Sequence, residues 1–195
     1  MRLEIDTPAG QAWADVDDNG GGRLIVLGHG AGGSVDSPDL IAIRDAALAA
    51  GVSLARVTQP YRVAGKRAPA APPRLDAAWL AVLGELRERY RPDRLLSGGR
   101  SSGARVACRT AAQAGVDAVI ALAFPLHPPG RPDKSRLPEL ELPAVPVLVV
   151  QGDRDAFGMP AAGPGREIAV IAGADHSLKK GTAEIAAAVI DFSLR

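Results

Sequence analysis

The chain has 195 residues, enough for one domain with a full-sized core, and the expectation is a single domain over 1–195. Hydrophobic residues at 47% and charged residues at 23% exclude an intrinsically disordered chain and a membrane-embedded one. A formal net charge of +1 supplies no field that would draw nucleic acid or an anionic membrane surface.

The single cysteine, Cys108, excludes an intrachain disulfide framework and suits a reducing compartment. Met1–Asp6 holds no apolar run of signal-peptide length, and no segment reaches the ~20 apolar residues that span a bilayer. Cytoplasmic residence is expected. The abundance of alanine, glycine, arginine and proline is that of proteins from GC-rich bacterial genomes. Nothing in the sequence specifies an oligomeric state.

Gln11–Val16 reads as an early strand, followed by a turn at Asp17–Gly22. Arg23–Gly28 is a compact apolar run of the buried parallel type. Asp39–Ala50 has helical spacing and Gly51 as its stop. Val52–Val57 is the next strand, and Arg74–Tyr90 a long helix ended by Arg91-Pro92. Asp93–Ser97 is a strand and Ala104–Ala112 a helix. Ala118–Ala123, Val145–Gln151 and Glu167–Ile171 are further strands, and Thr182–Leu194 is a closing helix. Strand alternates with helix, so the fold class is α/β: a mostly parallel sheet covered on both faces, without a large cap domain. Two proline-rich connections, Gln59–Pro73 and Phe124–Pro146, cannot hold an uninterrupted long helix. Both follow strands and belong at the carboxyl rim of the sheet, where ligands bind. Connections of that length are often functional.

Gly99-Arg100-Ser101-Ser102-Gly103 is a G-x-S-x-G pentapeptide between a strand and a helix. A serine on such a strained turn projects its hydroxyl from the top of the sheet, so Ser101 is a candidate nucleophile. A serine needs a base, and the base needs an acid to fix its tautomer. Of His29, His127 and His176, only His176 lies between the last strand and the closing helix, where a base reaches the rim. The acid belongs after the preceding strand, where Asp153 and Asp155 both stand. An oxyanion needs two N–H donors. One is the backbone of Ser102, and the other comes from the glycine-rich Leu27–Gly33 segment. Gly28, Gly30 and Gly33 also fit a dinucleotide fingerprint, and the segment lacks the Lys-Ser/Thr of a P-loop. The remainder of the chain answers the needs of a hydrolase instead.

In the order of these residues the chain resembles an α/β-hydrolase over nearly its whole length. The resemblance selects Asp155 over Asp153 through the "Gly-x-x-Asp" pattern of Gly152–Asp155. It also maps the second oxyanion donor to Ala31, the residue after His29-Gly30. Gly98-Gly99-Arg100-Ser101-Ser102-Gly103-Ala104-Arg105 is similar to the "Gly-Gly-Arg-Ser-Met-Gly-Ser-Arg" elbow of a compact branch. That branch includes KANSL-like and TEX-like proteins and small bacterial relatives, grouped with dienelactone hydrolase-like proteins. Here Ser102 replaces the methionine and Ala104 the serine.

The resemblance implies an esterase-like serine hydrolase acting on a small acyl compound, with no metal and no organic cofactor. Its alternative is a non-catalytic interaction module on the same fold. Arg100 either pairs with a carboxylate of the protein, which is the expectation, or receives an anionic substrate. His29 is expected to support its own loop, with substrate contact as the alternative. His127 is expected at the rim, within reach of substrate. Tyr61, Phe124 and Phe157 are candidates to line a pocket. Cys108 and Trp79 are expected to pack in the core.

Overall fold

The computed structural model describes residues 1–195. Eight strands form one sheet in the order β1-β2-β4-β3-β5-β6-β7-β8. They are β1 (Arg2–Thr7), β2 (Gly10–Asp17), β3 (Arg23–Gly28), β4 (Ser53–Thr58), β5 (Arg94–Arg100), β6 (Ala118–Leu122), β7 (Val147–Gly152) and β8 (Arg166–Ile171). β1 and β2 join antiparallel, and the six strands from β4 to β8 run parallel. The helices are α1 (Pro38–Ala49), α2 (Pro60–Val63), α3 (Pro72–Tyr90), α4 (Ser102–Ala114), α5 (Leu137–Leu140) and α6 (Thr182–Leu194).

The parallel strands are apolar at nearly every position because both their faces are covered. In β3, Leu24 and Val26 join one core while Ile25 and Leu27 join the other. β6 divides Val119 and Ala121 from Ile120 and Leu122 in the same way. The first core packs under α3 and α4, the second under α1 and α6. Trp79 of α3 is fully buried and donates its indole N–H to Ser97 Oγ at 3.0 Å. Cys108 of α4 is buried as well, and burial pushes its thiol up to about 12.

Several elements depart from the reading of the sequence. β1 was not anticipated: only Ile5 of its six residues is buried, so no apolar run announces it. It forms by pairing with β2, aided by the bidentate ion pair of Arg2 with Asp15. β5 extends to Arg100 and α4 starts at Ser102, so the turn between them is a single residue. α3 begins at Pro72, since prolines suit a first turn whose N–H groups have no intrahelical acceptor. Each proline-rich connection contains one short helix, α2 or α5. No helix is long and apolar enough to cross a membrane.

Candidate active site

Ser101 stands at the carboxyl end of β5 with φ 53° and ψ −107°, a backbone conformation that side-chain-bearing residues rarely adopt. Its flanking glycines make the turn possible. A Cβ on Gly99 would stand 2.7 Å from Gly28 O, and one on Gly103 would stand 2.8 Å from the same oxygen. The chain therefore crosses β3 at backbone contact, and the Ser101 side chain is thrust above the sheet.

His176 arrives from the loop between β8 and α6. Its Nε2 lies 2.9 Å from Ser101 Oγ, and its Nδ1 lies 2.8 Å from Asp155 Oδ2. A carboxylate only accepts, so Nδ1 carries the proton and Nε2 is free to accept from the serine hydroxyl. The Asp155 side chain is 1% exposed and that of His176 is 23% exposed. The acid is thus sealed while the base faces the open side.

Two groups hold this pair that the sequence reading did not assign. Gln151, the penultimate residue of β7, is fully buried and places Nε2 2.8 Å from Asp155 Oδ2. The same nitrogen faces Gly158 O at 2.9 Å and Phe124 O at 3.2 Å. The Phe157 N–H donates to Asp155 Oδ1 at 2.8 Å. The Phe157 ring stacks on His176 with centroids 3.9 Å apart. The signal for Gln151 in the sequence was a polar residue closing an apolar strand just before the acid loop.

Gly30, Ala31, Gly32, Gly33, Arg100, Ser101 and His176 line one hollow of about 250 Å³. The Ala31 N–H makes no backbone hydrogen bond, and the Ser102 N–H opens α4, where no intrahelical acceptor exists. His29 lies beneath this loop, buried. The Gln59 N–H donates to its Nε2 at 3.1 Å, so Nδ1 holds the proton and donates to Gly30 O at 2.7 Å. Burial lowers the His29 pKa, with the charges of Arg62 and Arg100 acting in the same direction. It braces the loop, as expected of it, rather than facing the hollow. Tyr61 is buried too and donates its hydroxyl to Ala31 O at 2.8 Å, with burial raising its pKa.

The remaining candidates divide. Arg100 donates Nη1 to Ser177 O at 3.1 Å and faces the fully buried Asp39, Nε to Oδ2, at 3.7 Å. It therefore has a carboxylate partner, and it also lines the hollow. Asp39 was read as part of α1 only. His127 is half-buried, donates from Nδ1 to Pro128 O at 2.9 Å, and donates its backbone N–H to Phe157 O at 3.0 Å. Phe124 lines nothing. It is fully buried in the core under α3 and α4, because it follows Ala123 at φ 45°, which turns the chain inward after β6. No cluster of histidine, cysteine, aspartate or glutamate is suited to a metal ion.

The family model of the alpha/beta hydrolase domain matches residues 21–187. The chain belongs to that family. The α/β-hydrolase fold is shared with an alpha-beta serine hydrolase homologue from Coxiella burnetii, at 21% identity, TM-score 0.78, and coverage of 98% of this chain and 96% of that one. A serine hydrolase without a lid from Xanthomonas campestris matches at 21% identity and TM-score 0.76, covering 100% and 95%. Est1E from Butyrivibrio proteoclasticus, with ferulic acid bound, matches at 18% identity and TM-score 0.82, covering 98% of each chain. At these identities the likeness is one of fold. No curated protein matches this α/β-hydrolase in sequence.

Proposed function

We propose that this α/β-hydrolase cleaves esters of small acyl compounds through a covalent acyl-enzyme. The observation that carries the reading is the unbroken chain of hydrogen bonds from Ser101 Oγ through His176 to the sealed Asp155. Ser101 Oγ attacks the carbonyl carbon as His176 Nε2 takes its proton. Asp155 holds the ring in the productive tautomer and stabilises the imidazolium that forms. The N–H groups of Ala31 and Ser102 receive the oxyanion. His176 then gives its proton to the departing alkoxide, and a water repeats the sequence to release the acid and restore Ser101. No step calls for a metal or an organic cofactor.

The site's surroundings support a short acyl group. The hollow is small and walled largely by glycine and alanine, and no residue of the two proline-rich connections lines it. We further propose residues 1–195 as one domain, and the compact branch marked by Gly98–Arg105 as the chain's place within the superfamily. A fluorophosphonate probe tests the nucleophile: wild type labels, and Ser101→Ala does not. Equal labelling of the two proteins removes Ser101 from the mechanism. p-Nitrophenyl esters of graded length then test the substrate, with acetate and butyrate expected to turn over faster than long acyl chains. A folded wild-type protein that hydrolyses none of them would favour a non-catalytic interaction module.

A further inference from the structure

His176 is carried by the segment Asp175–Leu178, which hydrogen bonds tie to the rest of the fold at few points. The Ser177 N–H donates to Asp175 Oδ1 and the Leu178 N–H to Asp175 O, so both of these bonds stay inside the segment. Apart from the two ring nitrogens of His176, one hydrogen bond crosses from the segment to another element. Arg100 Nη1 donates to Ser177 O at 3.1 Å. Arg100 is also the residue before Ser101, so the side chain that anchors the base springs from the backbone that carries the nucleophile. That backbone is itself fixed, because the Ser101 N–H donates to Leu122 O at 2.9 Å.

The guanidinium is aimed by its surroundings. Asp39, in the first turn of α1, is fully buried, and neither of its carboxylate oxygens has a hydrogen-bond partner. Oδ2 faces Arg100 Nε at 3.7 Å, and Nε makes no hydrogen bond either. A buried carboxylate without hydrogen bonds is strongly unfavourable unless an opposite charge compensates it. Asp39 therefore holds the Nε edge of the fork toward α1, which turns Nη1 to Ser177. On the remaining side, a Cβ at Gly33 would stand 3.0 Å from Nη2, so the same guanidinium lies against the oxyanion loop. A rigid planar fork can face three partners from three edges, and an ammonium cannot.

We propose that Arg100, held in place by Asp39, is a positioning residue that sets the His176 ring between Ser101 and Asp155. It acts through the Ser177 carbonyl and makes or breaks no covalent bond. The inference rests on the reading of Ser101 as nucleophile and His176 as its base. Without the tie, the ring is kept by its own two hydrogen bonds and by the stack on Phe157, and a stack does not distinguish one tautomer from the other. The ring is partly exposed, so water can satisfy either nitrogen. A ring that carries its proton on Nε2 cannot accept from the serine hydroxyl.

The test compares wild type with a double variant, Asp39→Asn with Arg100→Met. Removing one partner alone would strand a buried charge, whereas removing both leaves none. Long-range proton–nitrogen NMR of histidine-labelled protein at pH about 8, where imidazole is neutral, reads the tautomer of each ring without turnover. His176 is expected as the Nδ1–H form alone in wild type and as a mixture of both tautomers in the double variant. With p-nitrophenyl acetate, kcat should fall about tenfold or more while KM stays within about twofold, because a misplaced base costs rate rather than binding. Should the double variant fail to fold, Arg100→Lys replaces it. Lysine keeps a charge beside Asp39 but cannot serve Ser177 from a second edge, so the same mixture is expected. Tautomer mixing in the variant, with no ester hydrolysis even by wild type, would uphold the positioning role and fail the esterase reading instead. A mixture already present in wild type, a folded variant with the Nδ1–H form alone, an unchanged kcat, or a loss confined to KM would each overturn the proposal.

Discussion

Replacing Gln151 with leucine removes the amide that holds the acid while nearly conserving volume. In the native chain Nε2 lies 2.8 Å from Asp155 Oδ2, 2.9 Å from Gly158 O and 3.2 Å from Phe124 O, with no exposure. Leucine leaves Asp155 Oδ2 with His176 alone and strips a buried donor from two carbonyls. A hydrogen bond to a charged group contributes about 1.5–3 kcal/mol, and an unsatisfied buried carbonyl costs about 1–3 kcal/mol. Against this, the substitution also removes Oε1, which has no partner and carries a similar cost in the native protein. The net loss is about 2.5–6 kcal/mol, a fall in Tm of about 5–24 °C for a chain of this length. Asp155 then loses one of the groups fixing it. A misplacement of ~1 Å in a catalytic array costs on the order of 100-fold, so kcat/KM should fall about 10–100-fold with KM little altered. The assay is p-nitrophenyl acetate hydrolysis at a temperature where circular dichroism shows both proteins folded. A folded Gln151→Leu protein with native kcat/KM refutes the positioning argument, and an unmoved Tm refutes the energetic one.

Phe157→Ala removes the ring stacked on His176. A loss of about 1 kcal/mol of stacking, expressed in ring placement, predicts a roughly fivefold lower kcat with an unchanged fold, and an unaffected kcat would show that the stack is idle. Burial would raise the pKa of Glu139, but Arg105 and Arg109 outweigh it and hold the carboxyl below its ordinary value. Its stabilisation is therefore complete above the ordinary carboxyl range and drains as pH falls through the folded value. The Tm gap between native protein and Glu139→Gln should close on acidification, and a gap constant from neutral pH into acid would contradict the assignment. Cys108, buried with its thiol near 12, should resist iodoacetamide at pH about 8 until the chain unfolds. Rapid native-state alkylation would place it elsewhere.

The alternation of apolar strands and helices was legible because the parallel strands are buried on both faces and carry unbroken hydrophobic runs. β1 was not, because its cohesion lies in backbone pairing and in Arg2 with Asp15, neither of which leaves an apolar pattern. Strand ends marked with glycine and aspartate pointed to Ser101, His176 and the acid loop, while the choice of Asp155 over Asp153 came from the family resemblance. Side-chain direction just past a strand is harder: Phe124 follows β6 as Tyr61 follows β4, and Phe124 turns into the core because Ala123 reverses the backbone. Gln151 and Asp39 were obscured for another reason. Asp39 acts on Arg100 across the fold, and Gln151 acts on Asp155 only because the acid loop folds back over the end of its own strand.

Gly99 and Gly103 approach the same atom, the carbonyl oxygen of Gly28, from either side of Ser101. That oxygen immediately precedes His29 and the loop bearing Ala31. The serine turn and the oxyanion loop are thus one mechanical joint, seated on a shared pivot. A displacement of the turn would press on that pivot and so on the loop, tying the spacing between attacking oxygen and receiving amide to a single contact. The same joint limits drift in sequence. Either glycine can gain a methyl only if the pivot retreats, and its retreat separates the two halves of the chemistry together.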